Sequence, residues 1–313
     1  MKKITEEIEE YIINSYNSMP LLQIAKKLHI DILRIKKVLV NNNILIRGIG
    51  EIIGKRMPNQ KYTYNENYFE SIDNEQKAYW LGFIYADGNV FIPKDSKGRG
   101  SLDIALKDND DYHLHSFRSD IEGNMGVKYR EIKNNNKTYK SCRISIFNMK
   151  IANDLIKLGC VPNKSLILKF PKYLSDNLLP HFIRGYIDGD GCIFFKKYNR
   201  NRVFTFSLLG SKDFLENIKI ILETNGIECR NVKQSQSKAF VINIHGQENI
   251  TNLYNYLYKD ATRFLIRKID IFRNGIINCN KQYILNQITE ESYQIHSNNI
   301  KSQGFKYIEL KEK

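Results

Sequence analysis

The amino-acid sequence predicts an α+β protein in which an all-α N-terminal module precedes two pseudo-symmetric copies of one αββαββα unit. Two similar segments, about a hundred residues apart, each end in an aspartate followed by a glycine. Gly123 follows the first of these acids, Asp87, by 36 residues, and Gly226 follows the second, Asp190, by the same 36. Because both glycines end predicted helices, the equal spacing indicates duplication of one structural unit.

The N-terminal module occupies residues 1–46, where apolar side chains recur at helical spacing and predict three helices. The stretch Gln23–Asp31 is similar to a helix-turn-helix, with Ala25 as the small residue at which two helices meet. Three basic side chains would lie on the outer side of the third helix, where a helix that reads the major groove carries them: Arg34, Lys36 and Lys37. The alternative is a small three-helix bundle with a solvated basic face.

The next stretch, residues 47–67, loses the helical periodicity, contains several glycines and stays basic, which predicts a linker. The chain is therefore divided into five parts: a helix-turn-helix module (1–46), a basic linker (47–67), a first repeat (68–170), a second repeat (171–276) and a polar C-terminal extension (277–313).

The two similar segments are Trp80–Gly88 and Ile183–Gly191, and each is predicted to be a helix with a stripe of small residues. These small residues stand four apart, on one helical face, where another helix backbone can approach closely. They are predicted to form the contact between the two helices: Gly82, Ala86, Gly185 and Gly189.

Each of these helices would end at an acid, Asp87 or Asp190, with Gly88 or Gly191 as the left-handed residue that closes it. A carboxylate at a helix C-terminus adds to the negative pole of the helix dipole, and two such ends packed together repel each other. A cation is therefore expected between them, and a divalent metal is the obvious candidate.

Each repeat continues with four extended runs and helices after the second and fourth. The runs are predicted at 89–93, 102–106, 127–133 and 138–147, and again at 192–198, 202–209, 228–233 and 239–245. The intervening helices close at Gly123 and span 149–159 in the first copy, and span 211–226 and begin near Gln247 in the second. The alternation of Cys142, Ile144 and Ile146 with polar neighbours predicts a sheet with one core face and one polar face.

The polar faces and sheet ends are rich in basic residues, which predicts contacts with DNA. The alternative is an ordinary solvated charged surface. The predicted DNA-binding residues of the two repeats are Lys94, Arg99, Lys128, Arg130, Lys133, Arg143, Lys196, Lys197, Arg200, Arg202, Arg230 and Lys233.

The two acid-ended segments resemble the LAGLIDADG signature of homing endonucleases, in the form with two motifs in one chain. The final acids align with Asp87 and Asp190; Tyr85 replaces the earlier acid in the first copy, and Asp188 keeps it in the second. Residues 158–165, 256–261 and 265–268 are also similar to stretches of that family.

The resemblance implies two repeats that form a DNA-binding saddle, with Asp87 and Asp190 as catalytic metal ligands. The backbones of Gly88 and Gly191 are further candidate ligands, and Lys164 and Lys268 are the candidate active-site lysines. Asp188 would be a structural cap or a peripheral contact to metal-bound water.

Composition agrees with a nucleic-acid partner, because the 313-residue chain carries a formal net charge of +14. No apolar run approaches the roughly 20 residues needed to span a bilayer, and the charged N-terminus predicts a cytoplasmic rather than a secreted protein. The five widely spaced cysteines argue against a disulfide framework.

The resemblance implies a monomeric, Mg²⁺-dependent, site-specific DNA endonuclease that makes a double-strand break with 3′ overhangs in a long, partly symmetric target. A non-cleaving DNA-binding regulator or an RNA-splicing maturase on the same scaffold is the alternative, and a basic structural protein without a specific site is another.

Overall fold

The computed structural model of the protein describes residues 4–16, 21–42, 44, 62–93, 100–134, 137–198, 201–235 and 238–277. The chain divides into two compact units, Met1–Lys61 and Tyr62–Lys313. None of the helices in these described ranges is long and apolar enough to cross a membrane.

The N-terminal unit contains the three predicted helices: α1 (Glu6–Tyr16), α2 (Leu21–Leu28) and α3 (Ile32–Asn41). Its small core is built on Ile12, Ile24, Ile35 and Leu39, which are fully buried. Between α2 and α3, His29 adopts a φ of 54°, in the left-handed region that glycine usually fills. The turn predicted from the sequence is therefore present and tight, whereas its use as a helix-turn-helix stays a prediction.

The second unit holds two copies of the αββαββα order, as predicted. The first copy comprises α4 (Glu75–Asp87), β1 (Gly88–Phe91), β2 (Ser101–Lys107), α5 (Asp111–Asp120), β3 (Lys128–Asn134), β4 (Lys137–Phe147) and α6 (Met149–Lys157). The second comprises α7 (Leu179–Asp190), β5 (Gly191–Tyr198), β6 (Asn201–Gly210), α8 (Lys212–Thr224), β7 (Lys233–Gln234), β8 (Phe240–His245) and α9 (Gln247–Tyr258). A further helix, α10 (Ile266–Ile277), follows.

The strand orders of the two antiparallel sheets match: β1-β2-β4-β3 in the first and β5-β6-β8-β7 in the second. In the first sheet Ile104 pairs with Ile144, and both side chains are buried; in the second Leu208 and Ile242 do the same. Since paired residues share a face, these pairs mark the core face of each sheet. The shared topology confirms the duplication inferred from the spacing of the chain.

Two details of the repeats differ from the sequence prediction. Strand β7 has two residues instead of the predicted run 228–233, although the N–H of Arg230 still donates to the Asn243 carbonyl at 2.9 Å. The residue in the left-handed region after the second helix is Gly226 in the second repeat, with φ 74°, but Glu122 in the first, with φ 54°. Gly123 therefore matches Gly226 in spacing but not in backbone role.

The glycines after the two acids do not close their helices in the left-handed region, so this prediction is wrong. Gly88 and Gly191 have φ values of −76° and −74° and begin the strands that follow. Glycine is required here for space: a Cβ atom would lie 2.8 Å from the Ile84 carbonyl oxygen in one copy and 2.6 Å from that of Ile187 in the other. Each helix therefore passes directly into the following strand, and the first residue of that strand packs against the last turn of the helix.

The end of the predicted linker packs with the first repeat. The N–H of Thr63 donates to the Asn124 side chain at 2.7 Å, and the N–H of Asn65 donates to the Ile121 carbonyl at 2.8 Å. Residues 62–67 are therefore continuous with the repeat, whereas residues 47–61 of the linker lie outside the described residues. Of the predicted C-terminal extension, Ile277 ends α10, and the remainder lies outside the described residues.

Candidate active site

Helices α4 and α7 cross at the glycines predicted for their contact. A Cβ atom on Gly82 would collide with the Phe182 carbonyl oxygen, and one on Gly185 would collide with the Tyr79 carbonyl oxygen. One turn further on, a Cβ atom on Gly189 would collide with that of Ala86. The small-residue stripe therefore brings the two helix backbones into contact along their last turns, as far as the acids.

Asp87 and Asp190 are the last residues of α4 and α7, and both are exposed. The Oδ2 atom of Asp87 lies 3.3 Å from the position of a Cβ atom on Gly189, so this carboxylate stands against the last turn of the other helix. Partial burial, and next the negative charge of Asp190, raise the pKa of Asp87 to about 6. Burial also raises the pKa of Asp190, although nearby Tyr186 and two lysines oppose it.

Each acid is accompanied by one of the predicted lysines. The Nζ atom of Lys164 donates to the carbonyl oxygen of Gly88, and that of Lys268 donates to the carbonyl oxygen of Gly191. Both lysines are buried, at 9% and 6% exposure. Burial lowers the pKa of both, while the charges of neighbouring acids raise it. In this state the two glycine carbonyls, predicted as candidate metal ligands, accept hydrogen bonds from ammonium groups.

Asp188 is fully buried, in contrast to the exposed Asp190 two residues later. Its Oδ2 atom accepts hydrogen bonds from the Tyr79 hydroxyl and from the N–H of Leu265, both at 2.7 Å. Burial, the largest influence, raises the pKa of Asp188 to about 6. These contacts agree with a structural role for Asp188, while its second carboxylate oxygen, Oδ1, is buried and has no hydrogen-bond partner among the described residues.

The donor set suits one hard divalent cation or a pair of them. Among the described residues, no group of three or more histidine, cysteine, aspartate or glutamate side chains converges as a ready-made metal site. Asp87 and Asp190 are two carboxylates held together against their mutual repulsion, and carboxylate oxygens with open positions for water and phosphate are what Mg²⁺ prefers. The residues present therefore fit such a cation.

Comparison with known proteins gives one match to a protein family. Residues 178–258, from the residue before α7 to the end of α9, match the model of the LAGLIDADG-like domain. The second repeat is a LAGLIDADG-like domain. Its match begins with the helix that ends in Asp190, so the predicted family resemblance is confirmed for this repeat.

Two curated relatives share part of the chain. The protein is 27% identical over 184 residues to DNA-directed RNA polymerase subunit Rpo1C of Methanocaldococcus jannaschii, a match that covers 58% of this chain and 18% of that protein. It is 26% identical over 189 residues to the probable translation initiation factor IF-2 of the same organism, covering 56% of this chain and 15% of that one. The chain thus spans less than a fifth of the length of either relative.

Solved structures similar to this chain include LAGLIDADG proteins. The homing endonuclease I-WcaI bound to its DNA recognition sequence is 16% identical, with a TM-score of 0.46 and coverage of 73% of this chain and 96% of that one. The homing endonuclease I-GzeII in complex with its DNA target is 12% identical, with a TM-score of 0.45 and coverage of 72% and 98%.

The open faces of the two sheets, including that of the LAGLIDADG-like domain, carry part of the predicted basic set. Exposed members in the described residues are Lys128, Arg130, Arg143, Lys196, Arg230 and Lys233. Lys133, Lys197 and Arg202 lie in strands β3, β5 and β6. Lys94, Arg99 and Arg200 lie outside the described residues. In the N-terminal unit, α3 carries Arg34 and Lys36, half-buried, and Lys37, exposed.

Arg143 is already paired, which the sequence did not predict. Its guanidinium group contacts the carboxylate of Asp103 at 2.6 Å, and the same carboxylate accepts from the Ser145 hydroxyl at 2.5 Å. Asp103 stands opposite Ser145 in the strand register, on the open face of the first sheet. The alternation in β2 could have placed Asp103 on that face, but only the pairing of β2 with β4 brings it beside Arg143.

Proposed function

We propose that the protein is a sequence-specific DNA endonuclease of the homing type, which makes a double-strand break in duplex DNA. The observation that carries this proposal is the pair of carboxylates Asp87 and Asp190 at the touching ends of α4 and α7, each with a buried lysine on the carbonyl group that follows it. Phosphodiester hydrolysis requires neutralisation of charge on phosphorus and activation of water, and this arrangement supplies groups for both.

Asp87 and Asp190 would hold Mg²⁺. When bound, the metal supplies Lewis-acid stabilisation of the phosphate and lowers the pKa of a water molecule. The chain's own contribution is to fix two carboxylates at the junction of the repeats, so that one acid serves each DNA strand, while the nearby lysines oppose the rise in their pKa values. Lys164 and Lys268, whose pKa values are lowered by burial, would offset phosphate charge or exchange a proton with water.

Duplex DNA would lie on the open faces of the two sheets. These faces carry exposed basic residues in both repeats, and the formal net charge of +14 favours a polyanionic partner. Because the two repeats differ in sequence, each would read its own half of a long and only partly symmetric site, and one chain would act as a pseudo-dimer. Cleavage across the minor groove would leave short 3′ overhangs, as the family resemblance implies.

The N-terminal unit would add a second DNA contact as a helix-turn-helix. Its α2 and α3 are joined by the tight turn at His29, and the basic side chains of α3 are accessible. A three-helix unit of this kind places its last helix in the major groove. Residues 47–61 would then be the basic tether between the two DNA-binding parts, which raises the local concentration of each on its half of the target.

Cleavage is favoured over a purely binding role by the electrostatics of the acids. A regulator or a maturase without a metal site gains nothing from placing the Asp87 carboxylate where burial and the charge of Asp190 raise its pKa. Such repulsion destabilises the folded protein unless a cation relieves it. An endonuclease has a use for this arrangement, because the same acids hold the metal.

The experiment is selection of a cleaved site from a randomised plasmid library in the presence of Mg²⁺, followed by sequencing of the ends. The wild-type chain should linearise a subset of plasmids with 3′ overhangs, and EDTA should abolish cutting. Asp87→Asn and Asp190→Asn should each lose double-strand cleavage, whereas the exposed acid variant Asp176→Asn should cut normally. Undiminished cutting by both site variants would overturn the metal assignment, and specific binding without cutting by the wild type would favour a regulator.

A further inference from the structure

The segment that carries Lys268 belongs to the second repeat but is held by the first. The N–H of Ile266 donates to the hydroxyl of Tyr112 at 2.8 Å, and the Nε atom of Arg267 donates to the carboxylate of Asp110 at 2.8 Å. Tyr112 and Asp110 lie in or beside α5, in the first repeat. Two successive residues before Lys268 are therefore fixed by side chains from the other half of the molecule.

A second anchor lies at the start of the same segment. Arg263 donates to both carboxylate oxygens of Asp120, at 2.7 and 2.6 Å, and Asp120 also accepts from the indole N–H of Trp80 at 2.7 Å. Asp120 is the last residue of α5, so both ends of this helix contact the segment 263–268. Three side chains of the first repeat thus hold the segment on the N-terminal side of Lys268 by hydrogen bonds.

Asp110 is the anchor nearest to the lysine. It is 3% exposed, in a short 3-10 turn between β2 and α5, and its partner Arg267 is about half-buried. A buried carboxylate that loses its cationic partner carries a large desolvation cost. Asp110 therefore strongly favours the geometry in which it contacts Arg267. Arg267 also lies close enough to Asp87 to lower the pKa of that acid, so the pair stands beside the site.

The first repeat's lysine has a different support. Lys164 follows Asn163, which adopts a left-handed φ of 56°, and the nearby Leu158 carbonyl accepts from the hydroxyls of Tyr85 and Tyr173. In the part of the chain that the structure describes, no ion pair joins residues 158–166 to another segment. The two lysines occupy equivalent places, but of the two segments described only that of Lys268 is held by ion pairs across the repeat boundary.

We propose that Asp110 is a positioning residue that acts through Arg267 to hold Lys268 beside Asp190, so that one strand of the DNA is cut only when the opposite repeat is correctly folded. Tyr112 supports the same segment through the backbone of Ile266. This inference rests on the proposed endonuclease function for its catalytic consequence. Its structural part, the hold on Lys268, is independent of that function.

The structural part is tested on the full chain without DNA, by acetylation of lysines with a small amine-reactive ester and mass spectrometry of the peptides. In Asp110→Asn, we expect Lys268 to react roughly tenfold faster than in the wild type, because a charge-assisted hydrogen bond that restrains it is weakened. Lys164 in the same molecule should be unchanged, as should both lysines in the matched variant Asp108→Asn. An unchanged Lys268, or equal acceleration of both lysines, would overturn the proposal.

The catalytic part is tested on the selected target with each DNA strand end-labelled by a different fluorophore. Wild-type cutting of both strands establishes the endonuclease function separately. Asp110→Asn should slow one strand roughly tenfold and leave the other unchanged, producing nicked DNA, and that strand should be the one that Lys268→Met affects. Tyr112→Phe removes only a hydroxyl and should slow cutting of the same strand. It keeps the test available if the Asp110→Asn variant folds poorly. Asp110→Glu should cut that strand faster than Asp110→Asn does. Equal slowing of both strands by Asp110→Asn would contradict the proposal that Asp110 positions Lys268.

Discussion

Tyr85 and Asp188 occupy the same position in the two crossing helices, two residues before the terminal acid, and each ties its helix to the segment that carries the lysine of its own repeat. The Tyr85 hydroxyl donates to the carbonyl oxygen of Leu158, whereas Asp188 accepts from the N–H of Leu265. The polarity of the hydrogen bond is reversed but the connection is kept. The tyrosine in the first copy is therefore a change of chemistry at a structural contact that each repeat makes within itself.

This relationship predicts unequal costs for removing the two side chains. Tyr85→Phe should lower the free energy of unfolding by about 1 kcal/mol, because Tyr173 still donates to the same carbonyl oxygen. Asp188→Ala should lower it by roughly 2–4 kcal/mol, because the fully buried Tyr79 hydroxyl and the Leu265 N–H both lose their acceptor. Urea unfolding of the full chain measures both; equal effects would show that the two contacts do not differ as described.

The crossing glycines predict a sharp sensitivity to one methyl group. Gly82→Ala and Gly185→Ala would each push a Cβ atom into a backbone carbonyl of the other helix, where no flexible side chain can move aside. We expect each to destabilise the protein by about 3 kcal/mol or more, since overpacking against the rigid backbone forces the helices apart. Gly126→Ala is the matched control, because nothing lies within 4 Å of its Cβ position and its φ is not positive. Thermal unfolding of the three variants would decide the matter.

The raised pKa of Asp87 predicts that its carboxylate makes the metal-free folded protein less stable as pH rises. The pKa of Asp87 is raised to about 6 in the folded chain, above the value of an unfolded aspartate, so the folded state binds a proton more tightly. Between pH 4 and pH 6 that proton is lost and the folded state becomes less stable. Asp87→Asn should therefore stabilise the metal-free protein at pH 7.5 by about 1 kcal/mol after allowance for solvent screening, and by much less at pH 4.5.

Thermal unfolding in EDTA at the two pH values measures this difference. Asp176→Asn, an exposed acid elsewhere in the chain, should show no comparable dependence on pH. Addition of Mg²⁺ at pH 7.5 should stabilise the wild type and not the Asp87→Asn variant. A variant that is less stable than the wild type at pH 7.5 in EDTA would mean that the carboxylate has a favourable partner and that the repulsion is not felt.

The crossing helices, the helix ends that carry Asp87 and Asp190, and the repeated order of helices and strands along the chain could be predicted because each rests on a local pattern. The spacing of Gly82 from Ala86 fixes a helix face, and the alternation around Ile144 fixes a sheet face. The backbone at Gly88 could not be predicted from the dipeptide, because Asp-Gly also ends helices in the left-handed region, and the choice here depends on the strand that follows. The pair of Asp110 and Arg267 joins positions 157 residues apart and has no local signature.

The ion pair between Asp103 and Arg143 predicts that the basic residues of the first sheet contribute unequally to DNA affinity. Asp103 already neutralises Arg143, at 2.6 Å, whereas Arg130 in the adjacent strand is exposed and forms no ion pair within the described residues. The slope of log affinity against log salt concentration measures how many phosphate charges a protein neutralises. Each phosphate contact contributes about 0.9 to the magnitude of that slope. Arg130→Gln should reduce that slope by roughly one contact, and Arg143→Gln should change it little. Asp103→Asn should release Arg143 and steepen the slope by a comparable amount.

Fluorescence anisotropy of a labelled 30-bp duplex of arbitrary sequence, titrated from about 50 to 300 mM NaCl, resolves these differences. The N-terminal unit contributes the same background to every variant, so equal losses for Arg130→Gln and Arg143→Gln would show that Asp103 releases its partner when DNA binds.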